Sequence, residues 1–137
     1  MNFTCRIETE FTAEFLRAAA RLYRIAGWVD EDDGCEFLAA ALKNSCAVAA
    51  AYGEDGELVG MGRALGDGVS DAYVQDVVVD PAFRRRGVGA AVVRALAAEL
   101  RKRGVDWIGL VGEPGTEAFY RSLGFHAPAG FTFWRLK

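Results

Sequence analysis

The sequence predicts a single α+β domain of three layers, a mixed central sheet flanked by helices, and three observations lead there. Val77-Val78-Val79 ends a buried-strand pattern that turns into the basic, glycine-punctuated stretch Arg84-Arg85-Arg86-Gly87-Val88-Gly89-Ala90 and then into a helix. A compact apolar run, Trp107 to Val111, follows that helix, so strand, helix and strand form a crossover that implies parallel pairing. Earlier, Cys46 to Ala51 and Leu58 to Leu65 flank the turn Gly53-Glu54-Asp55-Gly56, a hairpin signal that requires antiparallel neighbours.

The remaining elements follow from periodicity. Residues 3–8 read as a short first strand. Phe11, Phe15, Ala18, Leu22 and Ile25 recur at helical spacing, with Glu10 suited to the first turn and Gly27 to the stop. A second helix is expected from Gly34 to Lys43, with Phe37, Leu38, Ala41 and Leu42 on one face. Between the two helices lies a loop in which Trp28 and Val29 precede four successive acids, Asp30 to Asp33. Gly66-Asp67-Gly68 marks a turn, and Tyr73 to Val79 is the next strand. After the glycine loop, Val88, Ala91, Val92, Ala95, Leu96 and Leu100 form one helical stripe, which Lys102, Arg103 and Gly104 end. Pro114 suits the first turn of a short helix ending at Gly124, and Phe131 to Leu136 reads as a closing strand.

At 137 residues the chain, 1–137, is expected to be one domain, long enough to bury roughly two-thirds of its unfolded surface. The hydrophobic share of 52% and charged share of 26% are those of a globular protein. A net charge of −3 argues against a nucleic-acid partner, since affinity for a phosphate backbone comes from excess Lys and Arg. The segment Met1 to Arg6 has no apolar signal core, and the longest apolar run, Cys46 to Tyr52, is too short to span a bilayer. No membrane association and a cytoplasmic location are expected. Cys5, Cys35 and Cys46 are widely spaced and the single histidine, His126, follows a Gly-Phe pair in a loop, so no metal site and no disulfide framework is expected.

The glycine loop carries the chemistry. Gly87 and Gly89 let backbone N–H groups approach an anion, the following helix aims its positive end at the same point, and Arg84, Arg85 and Arg86 add charge. A Walker loop would need Gly-Lys-Ser/Thr, which is missing, and a dinucleotide fingerprint would need a small residue where Val92 stands. The arrangement Arg84-x-x-Gly87-x-Gly89-Ala90 after a Val-rich strand resembles the Arg/Gln-x-x-Gly-x-Gly/Ala signature of the Gcn5-related N-acetyltransferases (GNAT). Downstream, Phe119-Tyr120-Arg121-Ser122-Leu123-Gly124-Phe125 looks like that family's aromatic-Tyr-x-x-x-Gly-Phe ending. The resemblance covers residues 46–137 well and residues 1–45 in pattern only.

The resemblance implies an acyl-CoA N-acyltransferase fold and acetyl-coenzyme A as cosubstrate, its pyrophosphate held by the amides of Arg85 to Ala90. It implies that Val77, Val78 and Val79 belong to a strand that splays from its parallel neighbour and pairs with the pantetheine arm. Tyr120 is the candidate general acid, because a phenol with an ordinary pKa near 10 is protonated at neutral pH. Along the strand Tyr73, Gln75 and Val77 would share one face and Asp76 the other. Asp76 is the candidate base, provided a bulge re-aims it, while Gln75 and Tyr73 face the acceptor. The acceptor is expected among Trp28, Asp30 and Glu31, whose charge suits a small cationic amine attacking directly in a ternary complex. Glu113 stands seven places before Tyr120, where many family members carry asparagine. Acetylation of a protein lysine or N-terminus, and a non-catalytic coenzyme-A module, are the alternatives; a homodimer stays open.

Overall fold

The computed structural model describes residues 2–137; Met1, the first residue of the segment read for a signal core, lies outside them. Its elements are β1 (Phe3–Ile7), α1 (Ala13–Ile25), α2 (Phe37–Lys43), β2 (Ala47–Gly53), β3 (Leu58–Gly66), β4 (Asp71–Val79), a 3-10 turn (Pro81–Phe83), α3 (Val88–Lys102), β5 (Trp107–Leu110) and α4 (Glu117–Ser122). One five-stranded sheet has the order β1-β2-β3-β4-β5. The first three pairings are antiparallel and β4 pairs with β5 in parallel, which makes the sheet mixed as expected.

The three layers follow from how the strands divide their side chains. In β2, Val48 and Ala50 join the cluster under α1 and α2, with Leu22, Leu38, Leu42 and Met61. Ala47, Ala49 and Ala51 join the opposite cluster under α3, with Val92, Leu96 and Leu100. A strand buried on both faces has no polar side to show, which explains the unbroken apolar run. Gly60 and Gly62 of β3 let α3 settle closely on the sheet: a Cβ would lie 2.7 Å from Val88 Cγ1 at the first and 2.9 Å from Val92 Cγ1 at the second. These two glycines therefore help set where the N-terminus of α3 stands.

Three expectations are corrected. Helix α1 starts at Ala13, because the Thr12 side chain accepts from the Phe15 amide and caps it there; Glu10 and Phe11 precede the helix. Helix α2 starts at Phe37, not Gly34, since Asp33 Oδ1 accepts from the Cys35 amide at 2.7 Å and Cys35 adopts φ 58°, a local turn that competes with helix. Phe131 to Leu136 forms no strand, and Phe131, Phe133, Trp134 and Leu136 are exposed. Strand propensity is expressed only where a neighbour supplies ladder bonds, and Pro128 and Gly130 precede the segment. Among the described residues no helix is long and apolar enough to cross a membrane.

Candidate active site

The site begins at an irregularity in β4. Met61 pairs with Val78 and Arg63 with Gln75, so Asp76 and Val77 together oppose Gly62. This is a β-bulge, and Asp76 takes its left-handed position at φ 56°, a conformation that aspartate tolerates better than most residues. The bulge changes which way the strand faces. Ala72 and Val74 pack under α3, whereas Val78 packs under α1 and Val77 and Val79 under α3. Regular alternation would have put Asp76 opposite Tyr73 and Gln75, with Val77 beside them. Instead the Asp76 carboxylate turns toward α1, where Oδ2 accepts from Tyr23 Oη at 2.7 Å and from Arg63 Nε at 2.8 Å. Burial, and then the Asp76 carboxylate, push the Tyr23 phenol well above its ordinary value, so it remains a donor.

The β4–β5 ladder runs only from Asp71–Trp107 to Val74–Leu110. Beyond it, Gln75 to Val79 have no ladder partner on the β5 side, and Gln75, Asp76 and Val77 line a cleft there. The same strand leads through the 3-10 turn to the glycine loop. Asp80 organises this junction: buried, it accepts from the Ala82 amide at 2.9 Å and from Arg21 Nη2 at 2.7 Å. Burial pushes its carboxyl up, but those two donors outweigh it and the net shift is downward. Gly87, at φ 84°, then starts α3 with no side-chain cap. The first bond across this helix end runs from the Ala91 amide to Gly87 O, so the amides of Val88, Gly89 and Ala90 point out of the helix. Arg84, Arg85 and Arg86 are exposed around them. Free amides, a helix dipole and three cations fit a pyrophosphate.

Tyr120 sits half-buried on α4, and the motif around it has a mechanical reason. Gly124, at φ 95°, lets the chain reverse so that the Phe125 amide bonds Tyr120 O at 3.1 Å. The Phe125 ring then packs edge-on to Tyr120 at 5.9 Å, with Phe119 on it at 4.9 Å. Burial, and then the negative charge of Glu113, push the Tyr120 phenol above its ordinary range. Glu113 O accepts from both the amide and the hydroxyl of Thr116, which fixes the turn, and Glu113 Oε1 accepts from Trp28 Nε1 at 3.3 Å.

Asp76, Glu113, Thr116 and Tyr120 line one cleft of about 350 Å³, while Val78, Val79 and the loop from Arg84 to Ala90 are not among its lining. Of the residues expected from sequence, it contains Trp28, Tyr73, Gln75, Asp76, Val77 and Tyr120. Asp30 and Glu31 are exposed on the loop and are not among its lining, whereas Trp28 and Val29 before them pack against the core, Trp28 edge-on to Tyr23 at 5.1 Å. Glu113 lines the cleft, and Tyr23 and Arg63 hold Asp76 in place; sequence reasoning assigned none of these three. A signal existed for Arg63, a lone charge inside an apolar strand. A second cavity of similar size, about 350 Å³, lies at the far edge of the sheet near Thr4 and Glu54. Two of its lining residues are engaged: Tyr52 Oη donates to Glu8, and Arg6 lies over the Tyr52 ring.

A model of the acetyltransferase (GNAT) family matches residues 6–125. Serotonin N-acetyltransferase 2, chloroplastic, of Oryza sativa subsp. japonica is 46% identical over 84 residues, covering 58% of this chain and 42% of its own. Histone acetyltransferase TAP1 of Glycine max is 39% identical over 110 residues, covering 71% of this chain and 48% of its own. The chain thus spans less than half the length of these two curated relatives. Among solved structures, a GNAT family acetyltransferase from Streptococcus pneumoniae TIGR4 superposes with a TM-score of 0.79 at 26% identity, covering 99% of this chain and 100% of the other. AAC(6')-Iy, solved with the bisubstrate analogue CoA-S-monomethyl-acetylneamine, shares the fold at a TM-score of 0.76 and 18% identity, covering 100% and 99%.

Proposed function

The chain belongs to the acetyltransferase (GNAT) family, and from that premise we propose that it transfers the acetyl group of acetyl-coenzyme A to a small cationic primary amine by direct attack. The observation that carries the proposal is the early end of the β4–β5 ladder at Val74, which opens a track of unpaired backbone between the free amides of α3 and the cleft holding Tyr120 and Asp76. In this reading the amides of Val88 to Ala90 and the charges of Arg84 to Arg86 hold the pyrophosphate. The backbone of Val77 to Val79 pairs with the pantetheine arm and polarises the thioester carbonyl.

Proton movement falls to two side chains. Asp76 keeps Oδ2 bound to Tyr23 and Arg63, while Oδ1 has no hydrogen-bond partner among the described residues. That oxygen takes the proton of the attacking amine, directly or through a water, with Gln75 and Tyr73 orienting the acceptor. Tyr120, kept protonated by burial, donates to the departing thiolate. One relative is named a histone acetyltransferase, so a protein lysine is the second reading.

The test is an amine panel, with a lysine peptide included, incubated with acetyl-coenzyme A and a thiol reagent. Thiol release dependent on small amines supports the first reading, and release with the peptide alone supports the second. Release with neither, alongside tight coenzyme binding, would leave a non-catalytic module.

A further inference from the structure

We propose that Glu113 reads the acceptor: its carboxylate docks the incoming ammonium beside Tyr120, and the cleft selects amines with one cationic end and an aromatic body. The inference rests on the acetyltransferase reading above.

Charge bookkeeping in the cleft comes first. Its lining holds two acids, Asp76 and Glu113, and no basic side chain. Asp76 is already offset by Arg63 at 2.8 Å. The side-chain hydrogen bond of Glu113 comes from neutral Trp28 Nε1, and among the described residues no Lys, Arg or His forms an ion pair with it. The cleft therefore carries one uncompensated negative charge, and a single ammonium supplies the missing partner. Asp30 and Glu31, expected from sequence to do this, stand outside the lining.

Position agrees with charge. Glu113 and Tyr120 line the same cleft, so an ammonium docked on the carboxylate is delivered to the cavity that holds the proposed acid. Trp28, Tyr73 and Phe133 supply flat apolar walls around that point. Such walls suit an aromatic body and add cation–π attraction for the ammonium itself. The further ammonium groups of a polyamine would find no second uncompensated carboxylate in the lining, since Asp76 is paired with Arg63. Glu113 is solvent-exposed, so its loss should weaken acceptor binding several-fold and not abolish turnover.

The experiment compares wild type with Glu113→Gln at saturating acetyl-coenzyme A, using two probes of similar shape: 2-phenylethylamine, a cation at neutral pH, and O-benzylhydroxylamine, which is uncharged there. The expected result is a KM for 2-phenylethylamine raised about fivefold, with kcat, the KM for O-benzylhydroxylamine and the KM for acetyl-coenzyme A within about twofold. Spermidine should be a poorer acceptor than 2-phenylethylamine for the wild type. Equal losses for both probes, no loss for either, a raised KM for acetyl-coenzyme A, or preference for spermidine would each overturn the role of Glu113 while leaving acetyl transfer intact. A wild-type protein that releases thiol with no amine would overturn the functional reading itself, and this inference with it.

Discussion

Arg63 and Asp76 meet across a β-bulge, Nε to Oδ2 at 2.8 Å, with both side chains largely removed from solvent. Arg63 also reaches Ala41 O and the Ser45 hydroxyl, so the pair ties the bulge of β4 to the end of α2. Removing the cation leaves a half-buried carboxylate with only the Tyr23 hydroxyl beside it. Arg63→Met should therefore destabilise the fold by about 1–3 kcal/mol, measured by urea denaturation. Asp76→Asn keeps the shape and loses the base: kcat should fall about 10²-fold with the KM for acetyl-coenzyme A near wild type. A full-rate Asp76→Asn enzyme, with chemistry limiting, would leave Asp76 a structural partner of Arg63.

Tyr120 yields a prediction with a sign. The proposed acid must be protonated, so kcat should fall as pH rises through the phenol's pKa. Burial and Glu113 both raise that value, which places the alkaline limb above the ordinary pH of about 10. Tyr120→Phe should lower kcat about 10²-fold and remove that limb. A pH-rate profile of the variant that still shows the same alkaline fall would assign it to another group.

Much of this geometry was legible in the sequence because it rests on local chemistry. Gly87 and Gly124 sit where the backbone takes positive φ, and the valine-rich strand leads directly into the loop. The bulge at Asp76 was not legible as a fact, since it depends on the register of β4 against β3, and no residue pattern announces a one-residue slip. Trp28 was expected near the acceptor for its place in the loop, and it lines the cleft. Asp30 and Glu31 were expected for their charge, but a run of acids on a loop is satisfied by water. Glu113 was visible only as a departure from a family pattern, and its meaning came from Trp28, 85 residues away, donating to it. The segment Phe131 to Leu136 shows the opposite failure: strong strand composition without a ladder partner.

Two glycines of the loop should fail differently. A side chain at Gly87 meets no atom within 4 Å, so Gly87→Val suffers only from its backbone at φ 84°, a cost of about 1–2 kcal/mol. A Cβ at Gly89 lies 3.3 Å from the Phe119 ring, so Gly89→Val presses on α4 next to Tyr120. Calorimetry should show weaker acetyl-coenzyme A binding in both variants. Steady-state kinetics should show an additional loss of kcat only for Gly89→Val. Unchanged coenzyme affinity in both folded variants would remove this loop from the binding site.

The last prediction concerns the junction that aims the loop. Asp80 is buried, bonds the Ala82 amide and Arg21, and its carboxyl lies below its ordinary value. A group with a depressed folded pKa contributes stability that is fully present above the unfolded value, about 3.9, and is lost as pH falls through the folded one. Asp80→Asn preserves the acceptor for the Ala82 amide but not the charge. It should therefore cost about 1 kcal/mol at pH 7, a modest figure because Arg21 is largely solvent-exposed, and the gap to wild type should close as pH falls below the unfolded value. Asp80→Ala also loses the cap and should cost about 2 kcal/mol at pH 7, with part of that difference persisting in acid. Urea denaturation of the three proteins at pH 7 and pH 3 separates charge from cap. A gap between wild type and Asp80→Asn that is unchanged at pH 3 would show that the ionised carboxylate is not what holds the loop to β4.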